Sequence, residues 1–284
     1  MQRIRETALA KVNLDLRVCH RREDGYHELD SVVAFADIGD QLTFEPADGL
    51  SLEIEGPFGD ALPPRDDNLV LRAARALAGK AGREPDVRIT LEKILPVASG
   101  LGGGSADAAA ALRGLVRLWA LPFASADILP LARELGADVP VCLASNAARM
   151  QGIGERLTSV AMPADIPMVL VNPGQAVSTA EVFRGLTDFS GRRDQTSFEA
   201  LEQGFHAHLI ASVNDLEAPA IRIEPAIGAV LDALRDQSGC ALARMSGSGA
   251  TCFGLFASLG ERDQAVAQIA ASEPTWWVIG TVAR

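Results

Sequence analysis

LPVASGLGGGSADAA, residues 95–109, is the stretch that decides how this chain reads. Upstream, residues 87–95 alternate apolar and polar side chains as a half-buried strand does. Downstream, residues 108–121 are strong helix formers with Leu112, Leu115 and Trp119 at helical spacing. Gly100, Gly102, Gly103 and Gly104, followed by Ser105, therefore stand at a helix N-terminus. The first N–H groups of a helix lack intrahelical partners and its dipole favours anions, while residues without Cβ let the main chain close around phosphate oxygens. A plain strand-to-helix turn also uses glycine, but it needs only one or two left-handed positions, and four glycines with a capping-type serine exceed that. The expectation is a phosphate cradle. A Walker loop would need a lysine after the glycines, and none follows. A dinucleotide fingerprint starting at Gly100 fails at Ser105, and Asp127, where a ribose-binding acid would be sought, falls in a helix-like segment.

The rest of the chain limits what such a loop serves. At 284 residues it exceeds the usual single core, so two lobes are expected, and 48% hydrophobic content fills them. A net charge of −11 argues against a general nucleic-acid surface, so a phosphorylated ligand must be held locally. Charges or glycines interrupt every apolar run before membrane-spanning length, which reads as a soluble, cytoplasmic protein. Cys19, Cys142, Cys240 and Cys252 are widely spaced and form no C-x-x-C pair, as expected of buried free thiols.

The element order is mixed. Strands are expected over residues 6–18, 31–38, 41–45, 50–55 and 87–95, with a helix over 68–81 and two more after the glycine loop, the second ending near Gly136. A strand pair follows Met150, then an apolar strand over 167–172, a helix at 179–184, and two helices between 201 and 236. Strands at 241–245, 252–256 and 276–282 flank a helix at 260–271. A boundary falls near residues 150–165.

Three further clusters, the first of them in two parts, carry chemistry or its look-alikes. In AKVNLDL, Lys11, Asn13 and Asp15 alternate with apolar residues, which a solvated strand face explains without any function. Next comes the D-G turn before Tyr26 and His27, where Tyr26 is either a packed ring or a platform for a base or sugar. In GADVP, Asp138 precedes Val139 and Pro140, a place where aspartate often simply caps a helix. In MSGSG, Gly247, Ser248 and Gly249 form either a hairpin turn or a second glycine loop lining a ligand.

In order and content these clusters resemble the GHMP kinase superfamily. The lysine segment comes first, then the P-x-x-x-G-L-G loop with its serine (Pro96, Gly100, Leu101, Gly102, Ser105), then the C-terminal glycine motif. AKVNL at 10–14, R-x-D-G-Y-H at 22–27, GLGGGS at 100–105 and GADVP at 136–140 are similar to the branch whose members phosphorylate a cytidine diphosphate derivative of methylerythritol. GIGE at 152–155, NPG at 172–174 and NDLE at 214–217 extend the likeness over nearly the whole chain.

The resemblance implies an α+β, two-domain GHMP kinase fold. It has an N-terminal ATP-binding domain, ribosomal-protein-S5-like, over residues 1–155 and a ferredoxin-like C-terminal domain over 156–284. It implies ATP and Mg²⁺ as cofactors, transfer of the γ-phosphoryl group to the 2-hydroxyl of the small-molecule substrate, and neither nucleic acid nor membrane as partner. By motif, Lys11 and Asp138 are the catalytic pair. Pro96, Val97, Ala98, Ser99, Gly100, Leu101, Gly102, Gly103, Gly104, Ser105 and Ala106 hold ATP. Asn13, Tyr26, His27, Phe183, Gly247, Ser248 and Gly249 face the substrate. Two departures stand out: Ala98 and Ser99 occupy positions often held by glycine, and Ala106 replaces what is often a second serine. No protein ligand for the metal is assigned.

Overall fold

The computed structural model describes residues 3–62, 67–191 and 204–284, and the chain divides into two compact units. One comprises Met1–Ala10, Ile38–Val97 and Gly102–Ser145; the other comprises Lys11–Asp37, Ala98–Leu101 and Asn146–Arg284. Two strands, β1 (Ile4–Asn13) and β3 (His27–Glu45), run from one unit into the other, as does the glycine loop.

In the first unit, β4 (Leu50–Glu55) lies parallel to β5 (Val87–Glu92), and β5 is antiparallel to the C-terminal half of β3. Four helices accompany this sheet: α1 (Leu69–Ala81), α2 (Gly103–Leu118), α3 (Ser125–Leu135) and α4 (Val139–Ala144), with α2 touching the other three. The Asn68 side chain caps α1 by accepting from the Val70 N–H at 2.9 Å, and Gly82 ends it in the left-handed region. The alanine run 108–111 keeps α2 slim enough to be buried nearly all round, and the missing side chain of Gly114 is filled by the Phe44 ring.

In the second unit, β8 (Ile166–Asn172) is flanked on both sides by antiparallel partners, β10 (Cys252–Phe256) and β11 (Trp277–Ala283), with β9 (Cys240–Met245) outside β10. Such a central strand is buried on both faces, which is why PMVLV reads as an unbroken apolar run. The N-terminal half of β3 pairs with β2 (Arg17–Arg21) and with β6 (Ala148–Gly152), which in turn pairs with β7 (Arg156–Ser159). The remaining helices are α5 (Thr179–Arg184), α6 (Phe205–Ala211), α7 (Glu217–Ile223), α8 (Ala226–Arg235) and α9 (Leu259–Ser272). Ile227, Leu231 and Leu234 of α8 and Ile269 of α9 join Val169, Val171 and Phe256 in its core.

Three expectations are corrected. Residues 31–38 and 41–45 form one strand, because Gly39 is no turn: a side chain there would overlap the Ala8 carbonyl of β1, so glycine serves a close main-chain approach. The expected strand over 6–18 is two, β1 and β2, since the chain leaves β1 after Asn13. Three helices, not two, occupy the described part of residues 201–236, because Pro225 starts α8 afresh; residues 201–203 lie outside the described residues.

Candidate active site

The helix of the glycine loop begins inside the glycines, at Gly103, five residues earlier than its periodicity suggests. Gly102 is its N-cap, left-handed at φ 63°, and contributes no capping side chain. The first-turn N–H groups of Gly103, Gly104 and Ser105 therefore open toward any anion placed there, as a phosphate cradle requires. The Ala106 N–H is already in the helix, donating to the Gly102 carbonyl at 2.9 Å. A cavity of about 470 Å³ adjoins this turn, lined by Leu62, Asn68, Leu69, Gly104 and Asp107, a size that suits a nucleoside.

Beneath the same turn lies an ion cluster that the sequence reading missed. Buried Lys93, at the end of β5, donates to Asp40 of β3 and to Asp107 of α2, the latter at 2.9 Å. Asp40 also accepts from the N–H groups of Ile94 and Leu95 at 2.6 and 2.8 Å, which fixes the chain leading into the loop. Burial alone would lower the Lys93 pKa, but the two carboxylates overcome it and hold it above its ordinary value. Burial, opposed by Lys93 and reinforced by Asp40, pushes Asp107 up to about 7. Among the described residues, Asp107 Oδ1 has no hydrogen-bond partner. The one sequence signal was a lysine in the apolar run that leads into the loop, Lys93-Ile94-Leu95-Pro96.

Asp138 sits at the N-cap position of α4, half-buried, and makes no capping hydrogen bond. The structural role that its sequence position suggests is therefore not the one its carboxylate performs.

In the second unit, Lys11 and Asn13 are 4% and 3% exposed and Asp15 is fully buried, so the solvated-face explanation of the alternating segment fails. Lys11 Nζ donates to Asn13 Oδ1 at 3.0 Å, and Asn13 Nδ2 donates to Ser31 Oγ at 2.8 Å. The Asn13 N–H donates to Ser246 Oγ at 3.0 Å, and that hydroxyl donates to the Gly100 carbonyl at 2.9 Å. One chain of bonds thus joins the lysine strand, the middle of the glycine loop and the C-terminal glycine motif. The Thr251 N–H adds a bond to the Ser99 carbonyl at 3.0 Å, and the Lys11 N–H one to the Leu101 carbonyl at 3.0 Å. Gly247 and Gly249 are left-handed, at φ 57° and 87°, so this turn requires glycine. Asn214 Nδ2 donates to the carbonyls of Met245 and Gly247, both at 2.8 Å. Ser248 Oγ is 2.8 Å from Thr179 Oγ1.

The aromatic residues gather as well. His27 stacks on Phe183, with ring centroids 4.8 Å apart and planes 23° from parallel. Burial and then Arg21 hold its imidazole below the ordinary value, so it stays neutral near pH 7. Tyr26 is 62% exposed, which excludes the packed-core reading. Cys19, Cys142, Cys240 and Cys252 form no disulfide; Cys240 is half-buried and the other three are buried. Among the described residues, no three His, Cys, Asp or Glu side chains converge on a metal position, and no helix is long and apolar enough to cross a membrane.

Comparison with known proteins gives these features a class. The GHMP kinases N terminal domain matches residues 68–146 and the GHMP kinases C terminal domain matches residues 190–274, and the chain belongs to the GHMP kinase family. It is 50% identical to the 4-diphosphocytidyl-2-C-methyl-D-erythritol kinase of Rhodospirillum rubrum, over 98% of this chain and 94% of that protein. It is 52% identical to the kinase of the same name from Cereibacter sphaeroides, over 95% and 96%. A crystal structure of 4-(cytidine 5'-diphospho)-2C-methyl-D-erythritol kinase superposes with a TM-score of 0.81 at 37% identity, covering 98% of both chains. The branch of the family is therefore that of the 4-diphosphocytidyl-2-C-methyl-D-erythritol kinases. A homoserine kinase from Cytophaga hutchinsonii, at 20% identity and a TM-score of 0.77, shares the fold.

Proposed function

We propose that this chain transfers the γ-phosphoryl group of ATP to the 2-hydroxyl of 4-diphosphocytidyl-2-C-methyl-D-erythritol, yielding the 2-phosphate and ADP in the cytoplasm. The observation that carries this reading is the near-full-length identity to kinases of that name, joined to a buried lysine, Lys11, tied through Asn13 and Ser246 to the glycine loop.

On this reading residues 1–155 form the nucleotide domain and 156–284 the C-terminal domain. The N–H groups of Gly103, Gly104 and Ser105 hold phosphate oxygens, and the segment 96–106 as a whole wraps the ATP phosphates. The cavity beside Gly104 takes the nucleoside. Asp138 orients the 2-hydroxyl and accepts its proton, and Lys11 offsets charge developing on the transferred group. In a loose phosphoryl-transfer transition state such positioning and charge stabilisation outweigh early deprotonation. The half-buried Ser105 hydroxyl would lie beside a Mg²⁺ ion brought with ATP, and such an ion would supply positive charge against the phosphate oxygens. Tyr26, His27 and Phe183 hold the cytosine by stacking and polar contact, Asn13 meets the methylerythritol hydroxyls, and Gly247, Ser248 and Gly249 let main chain approach the acceptor.

Incubation with ATP, Mg²⁺ and a panel of 4-diphosphocytidyl-methylerythritol, mevalonate, phosphomevalonate, homoserine and galactose, read by mass spectrometry, tests the reading. Only the cytidyl compound should gain a phosphate. Phosphorylation of another acceptor would keep the ATP loop and remove the roles of Tyr26 and His27.

A further inference from the structure

The motif NDLE at 214–217 has one residue that the chemistry above leaves unused, Asp215. Its Oδ2 accepts from the Val18 N–H of β2 at 2.7 Å. The same carboxylate takes both donors of Ser190: Oδ1 accepts from the hydroxyl, and Oδ2 from the N–H at 3.4 Å. Ser190 lies in the segment that follows α5, directly after Phe189, so the clip fixes the main chain beside that ring. Phe189 is 46% exposed. Its centroid lies 6.2 Å from that of His27, with planes tilted by 38°, on the same imidazole that stacks on Phe183. Phe183 of α5 and Leu186 just after it pack against the hydrophobic core, and Phe189 stands outside it. The Ser190–Asp215 clip, more than apolar burial, holds this half-exposed ring beside His27.

We propose that Phe189 is a further wall of the cytosine pocket, a specificity-determining residue beside His27 and Phe183, and that Asp215 and Ser190 are positioning residues that hold it there. The proposal rests on the reading that the acceptor carries a cytosine. A pyrimidine offers a flat face to stack and a hydrogen-bonding edge, and a ring held rigid before binding loses little entropy when the base arrives.

The test is equilibrium titration of the full-length protein with CDP, in saturating ADP so that the glycine loop is occupied, alongside a separate ADP titration. Phe189→Ala should weaken CDP binding by about fivefold to a hundredfold, the span of base–aromatic stacking, while ADP binding stays within about twofold. Phe189→Tyr, which keeps the π-face, should restore it. Ser190→Ala removes the hydroxyl half of the clip and no apolar surface, and should weaken CDP binding in the same direction with ADP unaffected. CDP binding by Phe189→Ala at wild-type strength would overturn the proposal, and so would a parallel loss of CDP and ADP affinity, which would make the ring a general prop. Either result leaves the kinase reading standing if the wild type still phosphorylates the cytidyl substrate. A wild type that neither binds CDP nor turns that substrate over removes the substrate assignment and this pocket together.

Discussion

Gly100 and Ser246 meet main chain to main chain: a methyl group on Gly100 would overlap the Ser246 carbonyl oxygen and lie 3.0 Å from the Gly249 nitrogen. The Gly100 carbonyl in turn accepts the Ser246 hydroxyl at 2.9 Å. These residues are 146 positions apart, yet the first glycine loop and the last glycine turn are shaped against each other.

Gly100→Ala is therefore expected to harm both stability and activity. Gly100 has φ +80°, so alanine is strained there before any overlap is counted, and strain with overpacking together cost about 2–5 kcal/mol. Thermal unfolding should fall by several degrees, and turnover should fall further than stability. An unchanged melting temperature would remove this account of the glycine.

Asn214→Ala removes the two hydrogen bonds that hold the Met245 and Gly247 carbonyls, and the loss should cost about 2–4 kcal/mol, since buried acceptors are left without partners. Denaturant unfolding measures this directly. A loss below about 1 kcal/mol would mean that water replaces the amide without penalty.

The Asp107 cluster predicts a pH dependence. Because the folded pKa, about 7, lies above the ordinary carboxylate value of 3.8, the folded protein binds more protons than the unfolded chain across that window. The contribution of this group is thus fully present below pH 3.8 and is lost as pH rises through 7. Asp107→Asn removes the titration, so the fall in stability between pH 5 and about pH 8 should be shallower than in the wild type by an amount on the order of a few kcal/mol or less. Parallel curves would show that Asp107 is ionised throughout.

Asp138→Asn should lower kcat by about a hundredfold to ten-thousandfold, the usual worth of a positioned acid–base group, with ADP affinity nearly unchanged. Full retained turnover would exclude Asp138 as the proton acceptor.

Tyr26→Ala should leave the melting temperature unchanged, because the ring is 62% exposed, and should weaken acceptor binding by about 1–3 kcal/mol if it stacks on the base. An unchanged acceptor KM would remove Tyr26 from the pocket.

The glycine-rich start of α2, its alanine-rich body and the apolar β8 were legible in the sequence, because each is a local matter of backbone freedom, helix propensity or an unbroken hydrophobic run. The motif order was legible too, and with it the family. What covers a strand was not. Alternation in β1 marks two faces but does not say that both are buried, so Lys11 and Asn13 read equally well as solvated until Ser31, Ser246 and Gly100 close over them. Gly39-Asp40 reads locally as a turn, whereas the fold uses the glycine for contact with Ala8 and the aspartate for Lys93, Ile94 and Leu95. The sequence by itself determined the elements whose signals are local, the helix that starts in the glycines and the apolar β8 among them. Tertiary structure alone decided which charges are buried and paired, because burial depends on neighbours that arrive from distant parts of the chain.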